Sequence, residues 1–261
     1  MPLRTDSPLR SSNPVLRGKV FQNLPAATGE PMTVNGTIAR TGLLLVLMLI
    51  TGWWTWHHFM LAGGAVNPVA GMSAVQPFLW GGLIAGLVLA LAGSFKPNWT
   101  PVTAPLYALA EGTFLGGISA MFEVQYHGIV LQAILASVGV LVVMLALYRT
   151  GVIKVTQKFR MGVIAATGGI LLLYLAAWLL SAFTHVNMSF AYGGGGTWGV
   201  VFSLFVVCIA ALNLVLDFDL IERAAEQGVP KYMEWYGAFA LMVTLVWLYI
   251  QMLQLLASSR R

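Results

Sequence analysis

The sequence predicts an all-α, polytopic membrane protein that crosses the bilayer seven times, with its N-terminus in the cytoplasm. Only 9% of its 261 residues are charged and 58% are hydrophobic, whereas a soluble domain carries about 25% charged residues. Seven stretches are long and apolar enough for a helix to span a bilayer, which takes about 20 residues. Lys and Arg concentrate in alternate connections between these stretches, as they do in cytoplasmic loops. The lipid bilayer is therefore the predicted surroundings of most of the surface.

The spans and the breaks between them define two regions of the chain. A cluster of two prolines at residues 97–101 separates the second span from the third, and four glycines at residues 193–196 indicate a flexible external loop. Gly228 and Pro230 end the sixth helix, since Gly favours a helix C-terminus and Pro cannot continue one. Residues 1–40 are predicted to be a mostly disordered cytoplasmic tail, and residues 41–261 the seven-helix transmembrane domain. The predicted spans run over about Thr41–Ala62, Ala74–Ser94, Pro101–Phe122, Gly128–Tyr148, Met161–Phe183, Thr197–Leu216 and Trp235–Ala257.

The orientation follows from the basic residues. With the N-terminus inside, twelve of the fourteen Lys and Arg residues are cytoplasmic and none lies in an external loop. The other two, Arg260 and Arg261, end the chain. Seven spans place this pair outside, whereas an even number of spans would place it inside, and the sequence leaves both possibilities open.

Several classes of function lack the residues that they need. Cys208 is the only cysteine, so an intramolecular disulfide is excluded and a metal site is not indicated. The histidines show no ligand spacing, and no phosphate-binding loop or nucleophile elbow occurs. We therefore expect no enzyme, no cofactor, no tightly bound metal and no nucleic-acid partner. The four histidines, all at predicted external span ends, are His57, His58, His127 and His185.

Glu111 is the charged residue that lies inside a predicted span, near the middle of the third. A carboxylate in mid-bilayer is costly, so Glu111 should face the bundle interior or a water-filled cavity. It can line an ion or proton pathway, or it can be a buried protonated group that bonds a neighbouring helix. Gly112 and Gly116 follow it at a spacing that allows close helix packing, and Gly82 and Gly86 repeat that spacing in the second span.

A second group of acids surrounds the end of the sixth span. Asp217 directly follows the apolar run, whereas Asp219 points to nearly the opposite face and suits a solvated helix end. Glu234 begins the seventh helix, where the helix dipole alone favours an acid. Because a short turn joins the two spans, Asp217 and Glu234 can lie at similar depth, with one of them holding a proton. The predicted gate or pH sensor is thus Asp217 with Glu234, and Asp219 is a further candidate.

Three short motifs resemble the transmembrane Bax-inhibitor-motif family, in its bacterial branch. The first is Ser12-Asn13-Pro14-Val15-Leu16 in the tail, and the second is Glu111-Gly112-Thr113-Phe114-Leu115-Gly116 in the third span. The third is the segment 217–236, with Asp217, Leu220-Ile221-Glu222, Gly228 and Tyr232. Together with the seven spans, the resemblance covers nearly the whole chain.

The resemblance implies six helices around a central seventh and a pH-sensitive calcium leak gated by two aspartates on the last two spans. Asp217 matches the first aspartate. Met242 stands where the second is expected, and the nearest acid of that span is Glu234. The family's inward-facing arginine of the second span has no counterpart here.

Two functions follow as hypotheses. The first is a calcium-permeable leak channel of the bacterial inner membrane, with Glu111 on the pathway and weak Ca²⁺ binding possible at Asp217. The second, also implied by the resemblance, is a non-conducting modulator that binds a membrane-anchored ATP-dependent protease through the tail. Loss of Glu111 would impair the channel, whereas loss of residues 1–38 would impair the modulator.

Overall fold

The structure, a computed structural model, describes residues 30–184 and 197–260, which form seven α-helices. A 3₁₀ turn, Pro97–Trp99, joins the second helix to the third. Outside the described residues lie the motif at residues 12–16, His185, the glycine loop at 193–196, Arg261 and most of the predicted tail. The helices are α1 (Val34–Leu61), α2 (Pro68–Phe95), α3 (Thr100–Gln125), α4 (Ile129–Arg149), α5 (Gln157–Thr184), α6 (Thr197–Glu226) and α7 (Met233–Ser259).

Six of these helices are long and apolar enough to cross a membrane by length and composition. The exception is α3, which has 26 residues and is therefore about 39 Å long. Its sequence is less apolar because Glu111 and several Gly, Thr and Pro residues interrupt it. Since α3 packs against α1, α2 and α7, these small and polar residues lie mainly in contacts between helices. The predicted all-α, seven-helix fold is confirmed.

Helix α7 occupies the centre of the bundle, as the resemblance implied. Most of its residues are buried, and among them Tyr236, Phe239 and Leu248 are wholly enclosed. It packs closely against α1, α3, α4 and α6. It also reaches α5 through a hydrogen bond from Tyr174, and Phe239 lies beside Gly93 of α2.

Two contacts show which helix ends lie together. Arg40 of α1 forms an ion pair with Glu234, in the first turn of α7. Arg260, just after α7, donates to the carbonyl oxygen of His127 between α3 and α4, at 3.0 Å. Because α7 has 27 residues and so spans about 40 Å, these contacts mark opposite ends of the bundle. We call the end marked by the Arg40–Glu234 pair the basic end. Eight of the nine described Lys and Arg residues lie at or next to it, and the ninth is Arg260. Because the seven helices cross the bundle an odd number of times, the chain after α7 lies at the end opposite the basic end.

Most helices extend beyond their predicted spans, and the largest extensions at a single end are those of α1 and α6. Helix α1 begins at Val34, so the last seven residues of the predicted tail, 34–40, are helical. The side chain of Thr33 caps it by accepting a hydrogen bond from the amide of Gly36 at 2.9 Å. Helix α6 continues to Glu226 and ends before Gly228, whose φ of 64° is the left-handed conformation that glycine favours after a helix.

Glycines allow the closest helix contacts. A Cβ atom at Gly112 would overlap the carbonyl oxygen of Met48 in α1, and one at Gly116 would overlap the backbone of Gly52. On α2, a Cβ atom at Gly82 would overlap α3, and one at Gly86 would lie 2.7 Å from Glu111. All four glycines therefore lie where α3 touches α1 or α2.

Candidate functional site

Asp217 is buried in the contact between α6 and α7, with 1% of its surface exposed. It lies nine residues before the end of α6, about 14 Å along the helix axis. The hydroxyl of Thr244 donates a hydrogen bond to its Oδ2 atom at 2.6 Å. The group that faces Asp217 from α7 is thus a neutral hydroxyl, which can donate to a carboxylate or accept from a carboxylic acid.

The second aspartate implied by the resemblance has no equivalent at this contact. Met242, which stands at the matching position, is completely buried. Thr244, two residues further on, supplies the polar group instead. Sequence reasoning overlooked Thr244 because an uncharged hydroxyl in an apolar span gives little signal.

Glu234 is not the partner of Asp217, and this predicted pairing is wrong. It lies ten residues before Thr244, about 15 Å along α7. Its Oε1 atom accepts hydrogen bonds from both the amide and the hydroxyl of Thr33, each at 2.9 Å. Its Oε2 atom pairs with Arg40, and the Glu234 side chain is only 2% exposed. Glu234 therefore holds the start of α1 against the start of α7 at the basic end.

The segment before α1 completes this attachment. Met32 is buried, and its amide donates to the carbonyl oxygen of Val229 at 2.8 Å. Glu30 and Lys231 form an exposed ion pair. The pKa of Glu30 lies below its ordinary value because Lys231 donates a hydrogen bond to the carboxylate. Residues 30–33 thus lie along the turn between α6 and α7.

Asp219 joins α5 to α6 rather than facing solvent, so the predicted solvated position is wrong. It is 6% exposed. Its Oδ2 atom accepts from Arg160 at the start of α5, at 2.9 Å, and its Oδ1 atom accepts from Arg223 at 2.8 Å. Two guanidinium groups therefore pair with this one carboxylate.

Glu111 lies in a different helix contact from Asp217. It is 9% exposed and packs against Gly86 of α2. The hydroxyl of Tyr107, one turn earlier on α3, lies near its carboxyl group. The ring of Tyr107 meets Phe239 of α7 edge-on, with 5.0 Å between the ring centres. The structure thus places Glu111 between α2 and α3, and Asp217 between α6 and α7.

Further polar pairs connect the helices at mid-bundle. Asn213 donates to the hydroxyl of Thr167 at 2.8 Å, and Ser119 and Tyr249 share a hydrogen bond of 2.7 Å. Within residues 30–184 and 197–260, no three or more His, Cys, Asp or Glu side chains are grouped so that they could hold a metal ion.

The fold and these buried acids define a multi-pass helical membrane protein with ionisable groups inside its bundle. The family model described as Bax inhibitor 1 like matches residues 13–261. The chain therefore belongs to the Bax inhibitor 1 like family. Neither a curated protein nor a solved structure matched it.

Proposed function

We propose that this protein is a pH-sensitive cation leak channel of the bacterial inner membrane, permeable to calcium and controlled by protonation of Asp217. In this proposal the basic end faces the cytoplasm, as its excess of Lys and Arg favours. The channel has no catalytic activity and needs no cofactor, and calcium is the transported ion. Family membership supports the proposal, since a pH-sensitive calcium leak is what the resemblance implies.

The observation that carries the proposal is the burial of Asp217 beside a neutral partner. Asp217 is 1% exposed, and intramembrane ionisable groups commonly belong to ion or proton pathways. When it is ionised, Thr244 donates to it and its charge can attract a cation. When it is protonated, that attraction is lost and the carboxylic acid can itself donate. The nearest acid on α6, Asp219, pairs with two arginines, whereas the hydroxyl that Thr244 offers to Asp217 is neutral, so the proposal assigns the response to pH to Asp217.

The test is calcium flux into proteoliposomes that contain the purified protein, measured across a range of pH. We expect flux that depends on pH in the wild type and not in Asp217→Asn. Glu226→Gln is the matched control, because Glu226 is an exposed acid at the end of the same helix and its loss should leave the pH profile unchanged. Wild-type flux no greater than that of empty liposomes at every pH would refute the channel.

Glu111 remains a pathway candidate in its own helix contact. Its carboxyl group is buried between α2 and α3, on a part of the bundle where α3 touches α7. In the proposal it contributes negative charge to the cation pathway, while Asp217 determines the response to pH.

A second candidate function is the non-conducting modulator of a membrane-anchored protease. The observation that favours it is the attachment of residues 30–33 to the α6–α7 turn at the basic end of the bundle. A modulator requires the tail, so deletion of residues 1–29 would abolish its effect on the protease. The leak channel keeps its calcium flux after the same deletion.

A further inference from the structure

Helix α5 contacts the rest of the bundle through one narrow stripe. Its buried or cross-bonded residues recur three and four positions apart, which places them on a single face of the helix. Much of the remaining surface of α5 is open to lipid: Leu172 is 68% exposed and Trp178 is 61% exposed. The residues of the stripe are Arg160, Val163, Thr167, Ile170, Tyr174 and Ala177.

Within this stripe, polar and apolar positions alternate. Val163, Ile170 and Ala177, each seven residues from the next, are buried and apolar. The other three positions, also seven apart, are polar, and each is bonded to a polar residue of α6 or α7. Seven residues advance a helix by about 10 Å, so these pairs lie at three successive depths. They are Arg160–Asp219 at 2.9 Å, Thr167–Asn213 at 2.8 Å and Tyr174–Gln251 at 3.3 Å.

The polar side of the stripe is continuous with Asp217. Asn213 lies one turn before Asp217 on the same face of α6. Gln251 lies seven residues after Thr244 on α7, and so on nearly the same face. Asn213, Thr244 and Gln251 are all buried. A band of polar groups therefore runs from Asp217 toward the end of the bundle opposite the basic end.

Helix packing alone does not require polar groups at these positions. The apolar residues of the stripe already pack against α6, where Ile170 meets Val206 and Ile209. A hydrogen bond between membrane helices adds on average only about 0.6 kcal/mol. Ionisable side chains inside a membrane protein face the bundle interior or a water-filled cavity and mark ion pathways. Here polar groups recur every seven residues along the contact of α5 with α6 and α7, in line with the ionisable Asp217.

We propose that the polar side of this stripe, with Asn213 and Gln251, is a water-accessible seam along which a hydrated cation reaches Asp217. The identity of the cation rests on the proposed function, whereas access of water to the seam is independent of it. Thr167 and Tyr174 line the seam, and Ile170 belongs to its dry side.

Thiol accessibility tests the seam without relying on flux. Cys208 is the only cysteine, so Cys208→Ser provides a background for single cysteines in the full chain. We expect Thr167→Cys to react with a water-soluble methanethiosulfonate at least about 10-fold faster than Leu172→Cys or Ile170→Cys, because thiols react where water and thiolate are present. Tyr174→Cys, seven residues further along α5, should react as fast as Thr167→Cys. It replaces Thr167→Cys in the test if that variant does not fold.

The outcomes separate the seam from the channel. Reaction of Thr167→Cys at the rate of Ile170→Cys, in protein that reacts fully once denatured, would overturn the seam even if wild-type flux is present. Fast reaction without wild-type flux would support the seam and refute the channel. If Thr167→Cys reacts fast and the wild type conducts calcium, a further variant applies. Thr167→Val keeps the shape of the side chain and removes the acceptor for Asn213. It should lower calcium flux and leave the pH midpoint of the flux unchanged.

Discussion

The attachment of α1 to α7 allows an asymmetric prediction about its two charged partners. The Glu234 side chain is 2% exposed, whereas that of Arg40 is 22% exposed. Removing Arg40 leaves the buried charge of Glu234 with only the two donors of Thr33. Removing the charge of Glu234 leaves the Arg40 guanidinium, which water can reach. This group also donates to the carbonyl oxygen of Gly36 and lies over the ring of Trp235.

The magnitudes follow from this difference in burial. We expect Arg40→Gln to lower the free energy of unfolding by about 3–5 kcal/mol, the usual cost of leaving a buried charge unpaired. Glu234→Gln keeps an acceptor for Thr33 and should cost about 1–3 kcal/mol. The double variant Arg40→Gln/Glu234→Gln removes the stranded charge, so its loss should be smaller than the sum of the single losses by at least about 1 kcal/mol.

Denaturant-induced unfolding in detergent, followed by tryptophan fluorescence, measures these differences. Arg149→Gln is the matched control, because Arg149 is exposed at the same end of the bundle and should change stability by less than about 0.5 kcal/mol. Equal losses in the two single variants, or strict additivity in the double variant, would refute the reasoning that the buried carboxylate depends on Arg40.

Two further predictions concern packing and pH. Gly116→Ala should destabilise the fold because its Cβ would overlap the backbone of Gly52, whereas Gly139→Ala, where a Cβ meets nothing within 4 Å, should not; thermal unfolding in detergent compares them. Because Lys231 lowers the pKa of Glu30, the stabilisation from this pair is present above the ordinary carboxyl pKa and is lost as pH falls through the lowered value. Glu30→Gln should therefore show the same stability difference from wild type at about pH 6 and about pH 8, and a difference that varied between them would contradict this.

Sequence patterns predicted the helices better than the partners of the acids. The apolar runs located all seven helices, because spanning a bilayer imposes a length and a composition. They ended the sixth membrane span at Leu216, because an apolar run indicates contact with lipid. Asp217 and Asp219, which follow it, are nevertheless buried, against protein. The partner of Glu234 could not be predicted, since Arg40 lies near the other end of the chain and nothing in their spacing connects them.

The heptad stripe of α5 was open to prediction from the sequence. Between Arg160 and Leu180, only Thr167 and Tyr174 interrupt the apolar run, and with Arg160 they recur at a constant interval of seven residues. On one helix this interval predicts a polar line along one face. A span evaluated only for mean hydropathy conceals such a line. Its partners on α6 and α7 require the structure, because they follow from how three helices meet.

The partners of the acids determine which of them can respond to protons. Asp219 and Glu234 each pair with arginine, so protonating either one would break an ion pair and leave a guanidinium without its counterion. Asp217 faces the hydroxyl of Thr244, and Glu111 faces that of Tyr107. A hydroxyl can donate to a carboxylate or accept from a carboxylic acid, so each of these two acids has a suitable neutral neighbour in both protonation states. Among these four acids, Asp219 and Glu234 therefore hold helices together through ion pairs, whereas Asp217 and Glu111 can change protonation without breaking one.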